Sequence, residues 1–140
     1  MNKDLYIFIR WSDADYSVGI KTIDDQHKEL IKYINQIYQS ILDRNSKEVT
    51  PDVLANLEDY ARFHFGYEEK IFNQIGYEFA EEHIAEHRAF SEKIEQFKEG
   101  IAKGHDVIFS ITNYLRDWLR THIQKEDRKY ASEFQKLGIQ

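Results

Sequence analysis

Along this chain of 140 residues, apolar side chains return at the helical period in four separate runs. The first, Ile20, Ile23, Leu30, Ile31, Ile34, Ile37 and Ile41, keeps a spacing near 3.6 and stops near Arg44. Thr22, with Asp25 three residues on, has the form of a capping box for it. A polar stretch, NSKEVTPD, follows, and it predicts Thr50 as N-cap and Pro51 as the first residue of the next helix. That second run carries Leu54, Leu57, Ala61, Ile71, Phe72 and Ile75, with Gly76 as its stop. The third carries Phe90, Ile94, Phe97 and Ile101 and closes at Gly104; the fourth carries Ile108, Ile111, Leu115, Trp118 and Leu119. The predicted helices span about residues 20–44, 51–75, 80–103 and 106–134, after an arm of residues 1–19 without sustained period. Four amphipathic helices on short connections predict an all-α, antiparallel up-down-up-down four-helix bundle with an N-terminal arm, one domain over residues 1–140.

Polar residues interrupt these apolar stripes in a consistent way. His27 continues the spacing of Ile20, Ile23, Leu30 and Ile34; His64 follows Leu57 by seven, and Glu68 follows His64 by four. His83 and His87, in the segment HIAEH, precede Phe90 and Ile94 in the same rhythm, and His122 lies four after Trp118. An i, i+4 pair shares one face of a helix, so His83 and His87 can hold a single metal ion. One imidazole on an apolar face is most often a hydrogen-bonded core residue. Five, with at least one on every helix, together with a carboxylate that has no Lys or Arg on its stripe, point to coordination, because an unpaired buried charge is costly. Near the end of the fourth helix the pattern leaves two acids open. Glu126 is four after His122, which suits an ideal helix, whereas Asp127 is five after it and needs a local widening such as a π-turn.

Composition narrows the chemistry. The chain has no cysteine, which excludes iron–sulfur, blue-copper and thiolate zinc sites and leaves imidazole and carboxylate as ligands. Lys and Arg total 19 against 25 Asp and Glu, for a net charge of −6, so nothing would neutralise a nucleic-acid backbone. The apolar start LYIFI is too short for a signal-peptide core or a membrane span, and a cytoplasmic protein is expected.

With these residues in place the chain resembles the hemerythrin family, in particular its bacterial members. The resemblance rests on IDDQHKEL around His27, HFGYEE with His64 and Glu68, HIAEH with His83 and His87, and HIQKED with His122 and Asp127. Trp11 and YSVGI in the arm extend it to nearly the whole chain. It implies two non-heme iron ions with an oxo or hydroxo bridge, one held by His83, His87 and His122, the other by His27 and His64. Glu68 and Asp127 would bridge them, so that the family pattern selects Asp127 over Glu126. Five imidazoles, two bridging carboxylates and one bridging group fill all but one position of two octahedral ions. The open position falls on the ion with two histidines, as a reactive site requires. Leu30, Phe65, Trp118 and Ile123 would line an apolar oxygen pocket.

The implied function is reversible dioxygen binding without turnover, for storage, delivery or sensing. The alternative is a di-iron redox enzyme, an oxidase or peroxidase, or one handling nitric oxide. Ferritin-like oxidases use paired Glu-x-x-His motifs, and here imidazoles outnumber carboxylates five to two. A zinc hydrolase needs only three or four ligands, fewer than the seven present. Protein partners are not specified by the sequence. Tyr77 and Tyr130 are read as surface residues available for self-association, although core packing explains the aromatic content equally, and His105 is expected as a surface residue or cap. Gly66, between two ligands, has no evident role in its helix.

Overall fold

The computed structural model describes residues 9–138, without the side chains of Lys125 and Glu126. A single turn, α1 (Asp13–Tyr16), is followed by α2 (Lys21–Leu42), α3 (Ser46–Ile75), α4 (Ala80–Ala102), α5 (Ile108–Trp118), a π-helical segment (Leu119–Asp127) and α6 (Arg128–Lys136). The last three run on as one rod, so that α2, α3, α4 and this composite rod form the antiparallel four-helix bundle that the four apolar runs predict. Among the described residues no helix is long and apolar enough to cross a membrane.

Two apolar clusters fill the interior. Leu30, Ile34, Ile37, Leu54, Leu57, Phe90, Ile94, Ile111 and Leu115 belong to the larger, and Ile20, Ile23, Phe72, Tyr77, Tyr130 and Phe134 to the smaller. Tyr77 and Tyr130, expected at the surface, are both buried, Tyr130 completely. Tyr130 stacks on Phe134 at 4.2 Å and Tyr77 on Phe72 at 4.9 Å, so the aromatic rings serve packing and cannot form a self-association face.

Helix ends differ from the sequence pattern where tertiary contacts offer a better solution. The Thr22–Asp25 box does not form: Asp25 pairs with Lys21, and α2 begins at Lys21 after Ile20 as N-cap, which offers no side-chain cap. Asp24 instead accepts the Val18 amide at 2.8 Å and the Ser17 hydroxyl at 2.6 Å, which ties the arm to the first turn. At its other end α2 closes in a Schellman motif, with Arg44 at φ 60° and the Asn45 amide on the Ser40 carbonyl. The turn is thereby finished by residue 45, and α3 starts at Ser46 rather than Pro51. Thr50 is buried, its hydroxyl 3.4 Å from that of Ser40, while Pro51 sits exposed in the second turn, where only one backbone hydrogen bond is lost. Gly76 and Gly104 take the left-handed conformation that ends α3 and α4, as their positions predict.

The arm is described from Ile9 onward; its first eight residues lie outside the described part. Asn35 exchanges two hydrogen bonds of 2.8 Å with the backbone of Ile9, and Arg128 reaches the Ala14 carbonyl at 2.8 Å. Residues 9–19 thus strap α2 to the composite rod beside the π-helical segment.

Candidate metal centre

Each of the four rods delivers ring nitrogens or carboxylates to one level of the bundle. His27 comes from α2, His64 and Glu68 from α3, His83 and His87 from α4, and His122 and Asp127 from the π-helical segment; all seven are buried. The widened turn answers the ambiguity in the fourth helix. A π-turn bonds residue i to i+5, which brings Asp127 under His122, with Oδ1 3.2 Å from Nε2. The competing Glu126 side chain lies outside the described part.

Two donor groups result, each gathered within 4.8 Å: Glu68 with His83, His87 and His122, and His27, His64, Glu68 and Asp127. They share Glu68, whose Oε1 lies 3.3 Å from His64 Nε2 and 3.2 Å from His87 Nε2. Asp127 faces both ways: Oδ2 is 2.9 Å from His27 Nε2, and Oδ1 is 2.9 Å from His83 Nε2. The Nε2 atoms of His27 and His64 are 3.1 Å apart. Two donors at right angles on one ion, each about 2.1 Å from it, are about 3 Å from one another, the spacing seen here.

Of these contacts only that between His27 and His64 has hydrogen-bond geometry. Among the described residues, Nε2 of His83, His87 and His122, Oε1 of Glu68 and both oxygens of Asp127 are buried without a hydrogen bond. Such groups are rare in folded proteins and costly, and a cation relieves all of them together. The donors therefore fit a metal pair by spacing and by need.

Electrostatics agree. Burial takes His64 down to about 4, so its imidazole is neutral at pH 7 and has a lone pair to give. Burial and the neighbouring Glu68 charge oppose ionisation of Asp127, but His122, His27 and His83 outweigh them and hold it at about 2. Glu68 lies well below the usual carboxylate range, since the facing histidines overcome its burial. Burial works against charge on His83 too, yet Asp127 and Glu68 raise it to about 10. Without a cation, a proton on His83 supplies the positive charge that the two acids demand.

Four further residues fix the donors and were not singled out by spacing. Gln26 accepts the Nδ1 hydrogen of His64, Glu69 that of His87 at 2.9 Å, and Glu86 that of His122 at 3.1 Å. The Tyr130 hydroxyl donates to Glu68 Oε2. Glu86 is off the apolar stripe, and Gln26 and Glu69 are each adjacent to a donor. The available signal was the rule that a ligating imidazole commits its second nitrogen to an acceptor, which directs attention to polar residues at the margins of the stripe. Phe65 stacks on His87 at 3.9 Å and Trp118 on His122 at 4.7 Å, while Leu30 and Ile123 are buried in the larger apolar cluster. His105 is exposed and apart from the site.

Comparison with known proteins agrees with this arrangement. Residues 18–134 match the family described as the hemerythrin HHE cation binding domain. A bacteriohemerythrin of Clostridium acetobutylicum is 32% identical over 127 residues, covering 86% of this chain and 96% of that one. A bacteriohemerythrin of Pseudomonas aeruginosa (strain LESB58) is 30% identical over 121 residues, covering 86% and 78%. The crystal structure of a wild-type hemerythrin superposes with a TM-score of 0.81 at 28% identity, over 89% of this chain and 96% of that one. The chain belongs to the hemerythrin family, whose cofactor is a non-heme di-iron centre.

Proposed function

We propose that this protein binds dioxygen reversibly at its di-iron centre, for storage, delivery or sensing, and turns nothing over. His83, His87 and His122 would hold one iron and His27 and His64 the other, with Glu68 and Asp127 available to both. The observation that carries this reading is the pair of donor groups that share Glu68 and leave buried nitrogens and oxygens without hydrogen bonds. When bound, the iron pair would supply the two electrons that reversible dioxygen binding requires.

The chain's own residues make reversal the favoured outcome. Phe65 and Trp118 lie flat on the rings of His87 and His122 and, with the buried Leu30 and Ile123, keep water from the donors. An apolar wall suits a small neutral ligand and withholds the solvent that would carry off reduced oxygen. Tyr130 holds Glu68 from the far side through its hydroxyl. The relatives' names agree with an oxygen carrier, bacteriohemerythrin and hemerythrin alike.

The test is to load the metal-free chain with ferrous iron under anaerobic conditions, admit air, then degas while recording the visible spectrum. A charge-transfer band that rises with air and vanishes on degassing, absent in His64→Ala and Glu68→Ala, is expected. Irreversible conversion with consumption of a reductant would identify a di-iron redox enzyme instead, and full oxygen binding by either variant would overturn the ligand set.

A further inference from the structure

The histidines of the two donor groups are backed differently. In the group with three histidines, His87 and His122 give their Nδ1 hydrogens to carboxylates, Glu69 at 2.9 Å and Glu86 at 3.1 Å. In the other, His64 gives its Nδ1 hydrogen to Gln26, a neutral amide 5% exposed. The side chains of Glu69 and Glu86 are 36% and 38% exposed, and Glu69 stands in the wall of an open groove with Arg62, Arg88 and Glu92. Both acids are open to water.

A carboxylate that accepts an imidazole N–H draws the hydrogen toward itself and raises electron density at the opposite nitrogen; an amide oxygen does so far less. We infer that Glu69 and Glu86 are positioning residues which, through His87 and His122, make the three-histidine group the stronger electron donor of the two. The two irons are thereby unequal, with the higher oxidation state favoured on the ion held by His83, His87 and His122. This rests on the ligand set proposed above and adds what that set alone does not contain, because three and two imidazoles differ in number while these acids change the quality of the donors.

The experiment compares wild type with Glu69→Gln/Glu86→Gln and with Gln26→Glu, each loaded with iron and checked for helicity and metal content. Amides still accept the N–H, so ring orientation is kept and only charge is removed. Redox titration against one-electron mediators is expected to show, at fixed potential, about a tenfold lower ratio of oxidised to reduced iron in the double variant, about 59 mV for a one-electron couple. Its two Mössbauer doublets draw together. Gln26→Glu shifts the ratio the opposite way. Should the double variant lose iron, Glu69→Gln and Glu86→Gln alone are each expected to move the ratio in the same direction by less. A wild-type chain that takes up no iron overturns the ligand set and this inference with it; a loaded wild type whose variants keep its potential and doublets overturns this inference alone.

Discussion

Phe90 and His87 lie one turn apart on the same stripe of α4, both buried, and their surroundings obey opposite energetics. Phe90 meets Trp118 at 4.5 Å and Phe65 at 5.5 Å, where every contact is dispersion and lost water. His87 faces Glu68, and its Nε2, like those of His83 and His122, is buried without a hydrogen bond. The first environment stabilises the fold whatever is bound. The second costs stability until a cation enters, which makes the polar level of the bundle a site and not a core.

The largest effect that separates the two is a cavity. Phe90→Ala is expected to lower unfolding free energy by about 3–5 kcal/mol, read from denaturant midpoints. The loss should be nearly the same for metal-free and iron-loaded protein, because Phe90 packs on Phe65 and Trp118 and not on a donor ring itself. A loss that differs between the two forms by more than about 1 kcal/mol would show that the apolar and polar levels are not independent.

A somewhat smaller effect belongs to the polar level alone, and it depends on pH. His64 is held at about 4 against an ordinary 6.5, so as pH falls through that interval the unfolded chain takes up the proton first and stability is lost. The loss is on the order of 3 kcal/mol at about 1.4 kcal/mol per unit. His83, raised to about 10, behaves the other way: its contribution is complete below pH 6.5 and disappears as pH rises toward 10. Asp127, lowered to about 2, adds a further loss as pH falls from its ordinary 3.8 through that value. The metal-free chain is therefore expected to be most stable near pH 6.5, with both limbs visible in urea midpoints. Iron loading should flatten the alkaline limb, since a ligating His83 has no proton to lose. A metal-free profile level from pH 4 to 10 would contradict the charge balance described for the site.

The same contrast explains which features could be read in the chain. Ile23, His27, Leu30 and Ile34 keep one period, so both the helix and the inward direction of His27 follow from it. In the fourth helix the period breaks: Asp127 points inward only because the backbone widens between Leu119 and Asp127, and periodicity presupposes the regular helix it would have to test. Thr22 and Thr50 are good caps in isolation, but Asp24 and the turn through Arg44 take over the helix starts because the arm and the preceding helix select them. A tyrosine three residues past Asp127 carries no sign in the sequence that its hydroxyl will meet Glu68, so the burial of Tyr130 is a tertiary result. The inward direction of the histidines was legible; the acceptors behind them were not, since they come from other helices, as with Glu86 behind His122.

Gly66 gives the smallest effect and the sharpest separation of stability from site. It lies in α3 between Phe65 and Glu68, two residues of the buried level, yet it is itself exposed, and a Cβ built on it meets nothing within 4 Å. Its backbone is helical, so glycine contributes only excess freedom in the unfolded chain. Gly66→Ala is accordingly expected to stabilise the protein by about 0.5–1 kcal/mol in metal-free and loaded forms alike. Because the added methyl projects into the open groove rather than toward His64 or Glu68, iron content and the oxygen-dependent band should stay as they are. Stabilisation accompanied by an altered band would mean that the outer face of α3 is coupled to the donors it carries, so that rigidity of this turn, and not packing around the rings alone, sets their positions.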